Sequence, residues 1–171
     1  MEKNRKRPLK LSVVLSYKLY RLAHDLLFND KSILVRVFRP IARYIDSRRR
    51  LKRVWDFSES LAKKLLFECV NCGDCGLPDV AYFCPMSQCP KNQRNGPCGG
   101  SINDWCEGYP NERKCVWVRA YERLEGSGRV GEISARIILP QDWQLWQTPS
   151  WLNFILGKDH NAKRSWIEIR K

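Results

Sequence analysis

All eight cysteines of this chain fall between Cys69 and Cys115, a window of 47 of its 171 residues counted inclusively. Cysteine at that density signifies either a disulfide framework or a metal site. Disulfides persist only in an oxidising compartment. The N-terminus, MEKNRKRPLK, runs into an apolar stretch interrupted by Lys18, Arg21, His24 and Asp25. That pattern is neither a signal-peptide core nor a membrane span. The expected setting is the reducing cytoplasm, where thiols stay unpaired and bind metal.

The order is Cys69-x2-Cys72-x2-Cys75, then Cys84-Pro85, Cys89-Pro90, Cys98, Cys106 and Cys115. Three cysteines at successive x2 spacing wrap a short chain around one cubane, and the bacterial cluster run with this opening closes on Cys-Pro. Eight thiolates also divide into two sets of four, the number each [4Fe–4S] cluster takes. The alternative is zinc in one or both sites, each held by four cysteines. Zinc knuckles use pairs, so a triple leaves one ligand oddly placed. His24 and His160 lie far from the cysteines in sequence, which argues against a mixed Cys/His site and against a thiol activated by a histidine base. Cys69, Cys72 and Cys75 should share one metal group; their fourth partner is open. In Arg94-Asn95-Gly96-Pro97-Cys98-Gly99-Gly100, glycines let backbone amides approach sulfur. Arg94, with Lys91, would add positive charge there; alone, Lys91 reads as an exposed cation. Arg94, Asn95, Gly96, Gly99 and Gly100 are thus candidate cofactor-binding residues.

Around this window the chain reads as three regions of an α+β, cysteine-rich protein. Residues 1–66 form a basic helical extension, with Leu15, Leu19, Leu22, Leu26 and Leu27 at helical spacing. A second segment runs from Ser32 to Ile45, where Pro40 should start or kink a helix. A third starts near Ser58, with Leu61, Leu65 and Leu66 on one face. Such stripes are expected to pack in a core. Residues 67–124 are the metal domain, rich in Gly, Pro and Asn, where long regular elements are not expected. Residues 125–171 carry a flexible-looking stretch from Glu125 to Gly131, a strand candidate from Ile133 to Leu139, and an aromatic tail. Trp143, Trp146, Trp151, Phe154 and Trp166 of that tail should pack on the cysteine region or on a partner. No transmembrane segment is legible. The net charge is +13, and residues 1–60 hold 16 Lys or Arg against 6 Asp or Glu. Such a surface suits an acidic protein, an anionic membrane or nucleic acid. The cysteine window lacks the interleaved aromatic and basic residues of a base-stacking module.

The string CVNCGDCGLPDVAYFCPMSQCPKNQRNGPCGG, then Cys106-Glu107 and Cys115-Val-Trp-Val-Arg-Ala-Tyr-Glu-Arg, resembles the C-terminal domain family of methylenetetrahydrofolate reductases. The resemblance covers roughly Phe67 to Leu124, with Asn95-Gly96-Pro97-Cys98-Gly99-Gly100 its most specific part. Ser150-Trp151-Leu152-Asn153-Phe154 and Gly157-Lys158-Asp159-His160 look like the end of longer members. The resemblance implies a small subunit beside a flavin-binding barrel that reduces methylene-tetrahydrofolate. Its eight cysteines would hold two [4Fe–4S] clusters that pass electrons to the flavin. This chain has no room for the barrel, no dinucleotide fingerprint and no evident flavin site. It is therefore expected to be a non-catalytic electron-transfer subunit, with flavin on the partner and a further electron donor conceivable. The alternative is a zinc-stabilised structural or nucleic-acid-binding protein.

Overall fold

The computed structural model describes residues 18–19, 21–26, 32–131, 133 and 138–162. These are mostly helical, with one two-stranded hairpin. Helix α1 spans Ile33–Ser47 and starts because Ser32 sits extended while its hydroxyl accepts the Leu34 N–H at 3.2 Å. Pro40 lies inside this helix rather than at its start. Only Arg48 separates α1 from α2, Arg49–Phe67, which begins nine residues before the expected Ser58. Glu68 ends α2 in the left-handed region (φ 56°) and turns the chain into Cys69.

Three apolar clusters hold the described residues together, one of them Cys72, Leu77, Cys84 and Met86 with Phe67 against it. Ala42 of α1 packs on Leu152 and Ile155 of a short C-terminal helix, with Ile45 and Trp55 against them. The third cluster forms under the ten-residue helix Val116–Glu125, whose Val116, Trp117, Ala120 and Leu124 meet Val80, Ala81, Phe83 and Ile138. Full burial of each such aliphatic side chain contributes about 1.5–3 kcal/mol. Between Phe67 and Cys115 no regular element exceeds four residues, as the composition predicts. There the chain makes a 3-10 turn at Leu77–Val80, a single helical turn α3 at Pro85–Gln88, and the hairpin of β1 (Ser101–Ile102) and β2 (Trp105–Cys106). Asn103 and Asp104 both take positive φ in the hairpin turn, a conformation these two residue types tolerate. In chain order α4 is Val116–Glu125 and α5 is Ser150–Ile155.

Three expectations need correction. Gly131 and Ile133 are helical, so the strand expected over 133–139 does not begin there; residues 134–137 lie outside the description. The leucine stripes are not core faces: Leu19, Leu22 and Leu26 are exposed, as are Leu61, Leu65 and Leu66. Leu15 and Leu27 lie outside the described residues. In α2 the buried face is instead polar, with Glu59 and Lys63 inside while Val54, Phe57, Leu61 and Leu65 face outward. In the tail, Trp143 and Trp146 are exposed and stack on each other at 5.5 Å, Trp151 is half-buried, and Trp166 lies outside the described residues. No helix among the described residues is long and apolar enough to cross a membrane.

Candidate metal centre

The x2 spacing works through its turns. Asn71 and Gly73 both take positive φ (54° and 77°), so the chain reverses between successive cysteines and turns their side chains to one side. Cys69, Cys72, Cys75 and Cys84 line a single cavity, walled also by Lys63 and Arg94. The Asn71 N–H points at Cys69 Sγ at 3.3 Å. Burial pushes the Cys72 thiol up to about 11 and holds Cys75 higher still, while Cys69 is raised for the same reason. These thiols therefore keep their protons until a cation displaces them.

The other four cysteines lie outside that cavity, in two pairs. Cys89 is buried in the α4 cluster with Cys115 packed against it. Cys106 sits on β2, opposite Ser101, and Cys98 ends the turn leading into β1. Both act on the Lys91 ammonium. The Gly100 N–H points at Cys98 Sγ at 3.4 Å, repeating the amide–sulfur contact of the first set. The Cys115 N–H bonds the Asp104 carbonyl at 2.8 Å, tying the last cysteine to the hairpin turn. None of the eight is in a disulfide. The four thiols of the first cavity, with an amide turned toward sulfur, have the donor chemistry of a four-thiolate centre.

The glycine-rich string divides between the two groups. Arg94 leaves its sequence neighbours and turns inward, buried, to the first cavity. Its guanidinium bonds the Asp74 carbonyl at 2.6 Å, the Asp74 carboxylate at 3.0 Å and Gln141 Oε1 at 2.5 Å. Its Nε is buried with no hydrogen-bond partner among the described residues. Asn95 stays on the surface, accepting from Gln93. Gly96 and Gly99 have open space around them, and Gly99 is needed for its φ of 77° rather than for close approach. Gly100 alone lies close to a side chain, the carboxylate of Glu107, which pairs with exposed Lys91.

His160 was missed as a structural residue because 86 positions separate it from Asp74. Its Nδ1 lies 2.6 Å from Asp74 and its Nε2 3.0 Å from Asp79. Burial opposes its charge, but the two carboxylates outweigh burial and hold it above the ordinary imidazole value. Burial likewise opposes ionised Asp74, yet His160 and Arg94 keep its carboxyl well below the usual range. With both nitrogens engaged, His160 braces the cysteine loop and has no lone pair for a metal. The tail docks on that loop through polar bonds rather than tryptophans: Gln141 to the Cys72 carbonyl at 2.8 Å, Asn153 to the Gly73 carbonyl at 2.7 Å, and the Gln147 N–H to the Asn71 carbonyl at 3.0 Å. The Asp-His spacing carried no sequence signal, whereas the Glu59–Lys63 pair is visible as an i,i+4 charge pair inside a leucine-rich helix.

The described fold is thus a helix-rich scaffold with one cavity lined by four cysteines and four further cysteines outside it. The family described as methylene-tetrahydrofolate reductase C terminal matches residues 50–144, more than half of the chain, and the chain belongs to that family. No curated protein and no solved structure matches it.

Proposed function

We propose that this chain is the iron–sulfur electron-transfer subunit of a methylenetetrahydrofolate reductase, working beside a flavin-containing barrel subunit. The observation that supports the reading is one cavity lined by Cys69, Cys72, Cys75 and Cys84 in a member of this reductase family. When bound, [4Fe–4S] clusters supply one-electron carriage. Cys69, Cys72, Cys75 and Cys84 would hold one group, and Cys89, Cys98, Cys106 and Cys115 the other. The Asn71 and Gly100 amides donate toward thiolate sulfur, which stabilises added negative charge. The outward apolar face of α2, with Ile33, Val37 and Ile41 exposed on α1, supports a protein partner.

Zinc is the second reading, because the same thiolates accept either metal. Anaerobic purification with iron, sulfide and zinc analysis separates them. The expected result is about eight irons and eight sulfides per chain, two cubanes' worth, with a flavoprotein co-purifying. A colourless protein carrying zinc and no iron would overturn the electron-transfer role.

A further inference from the structure

The two cysteine groups differ in the cations beside them. Lys91, next to Cys98 and Cys106, is exposed and pairs with Glu107 in solvent. Lys63 is 1% exposed and forms part of the wall of the first cavity. Its ammonium donates to Glu59 Oε1 and, at 2.8 Å, to Ser150 Oγ. The same ammonium lies 5.9 Å from the centre of the Trp151 ring. Glu59 is held on its far side by the Trp55 indole at 3.0 Å and the Trp151 N–H at 2.9 Å, and it does not line the cavity. The pair is therefore a fixed, buried dipole with its positive end toward the cysteines. At Cys69 the Lys63 ammonium counts for more than Glu59, and burial apart, Lys63 is the largest influence on Cys75.

We propose that Lys63, held by Glu59 and Ser150, is the charge-setting residue of the first four-cysteine site and makes it the more easily reduced of the two. The inference rests on the iron–sulfur reading above. A four-thiolate cubane gains one negative charge with each electron it takes from a one-electron donor. A buried cation at its wall favours that charged state, because low local dielectric preserves the attraction that solvent removes at Lys91. Arg94, whose buried Nε has no hydrogen-bond partner among the described residues, borders the same cavity and acts in the same sense. Burying an ion pair is a poor route to stability alone.

The test uses the full chain reconstituted without oxygen with ferrous iron and sulfide, titrated with dithionite and followed by electron paramagnetic resonance. In Lys63→Met one of the two midpoints should fall, by at least a tenfold change in the reduced-to-oxidised ratio, which is 59 mV for one electron. In Glu59→Gln the same midpoint should rise, since the counter-charge is removed and the ammonium kept. The other midpoint should stay put in both. Because K63M leaves Glu59 buried and unpaired, the K63M/E59Q double variant serves where the single one fails to fold, and its shift should lie between. Two intact clusters whose potentials are unmoved in E59Q and in the double variant would overturn the proposal and leave Lys63 a structural pair. Should wild type take up no reducible iron, the electron-transfer reading fails instead. The charge role is then decided by zinc affinity of the first site, which the double variant should weaken about tenfold; unchanged affinity would sink it.

Discussion

The first and second cysteine groups use the same ligand type and the same amide–sulfur contact, yet they are built differently. The first lies under α2 and is braced by a charged, buried network that reaches from Asp74 to His160. The second is formed by a turn, a two-residue hairpin and the start of α4, with Cys98 at the surface. In the first group chain geometry is imposed from outside, by the C-terminal segment. The second is held by its own short turns. On the iron–sulfur reading proposed above, metal would supply more of the folding free energy around Cys98 and Cys106, and the first group would be partly organised without it.

The sharpest way to break that contrast is to replace a brace. Arg94→Met removes the cation beside buried Asp74 and should cost about 3–5 kcal/mol, seen in urea denaturation, together with loss of metal from the first group alone. Lys91→Met, on the solvent-exposed pair of the second group, should change neither. Equal effects of the two variants would dissolve the distinction. Metal uptake gives the next largest difference. Since Cys72 titrates near 11 and Cys75 above it, binding at the first group must expel protons, about one per thiol. Its zinc affinity should therefore climb by about tenfold or more per pH unit between pH 6 and 8, as measured by competition with a chelator.

Glycine replacements sharpen the comparison at smaller scale. An added methyl at Gly73 would stand 1.7 Å from the Leu145 carbonyl oxygen, whereas at Gly99 nothing lies within 4 Å. Both have φ of 77°. Gly99→Ala should cost only the left-handed strain, about 1–2 kcal/mol. Gly73→Ala should cost more and loosen the tail, read as faster amide exchange at Gln147. The smallest effect concerns His160. Its charge is stabilised in the fold, so its contribution is fully present below about pH 6.5 and fades as pH rises through the raised folded value. The difference in thermal midpoint between wild type and His160→Gln should narrow by a few degrees toward pH 9, at about 2–4 °C per kcal/mol for a chain of this size. A constant difference would mean that the histidine braces the loop uncharged.

Much of the site was legible in the sequence, and for identifiable reasons. Triple x2 spacing is a local property of the backbone, so the sharing of one cavity by Cys69, Cys72 and Cys75 follows from turns within seven residues. The absence of long elements between Phe67 and Cys115 follows from Gly, Pro and Asn content in the same local way. The helices at 33–67 were visible from periodicity, but their orientation was not. A period of 3.6 shows that a helix has an apolar face and says nothing of what that face meets. In α2 the apolar face points outward and an ion pair points in.

By itself, then, the sequence determined that the chain carries eight clustered thiols, an excess of basic residues ahead of them and the marks of one reductase family. Only the tertiary structure decided that Cys84 shares the first cavity, that Arg94 deserts its neighbours to border it with Lys63, and that Glu59 and His160 stand behind those two cations. The long-range bonds of these residues span 20 to 92 positions. Burial is what selects them: a charged group withdrawn from water must find its partner wherever the fold brings one.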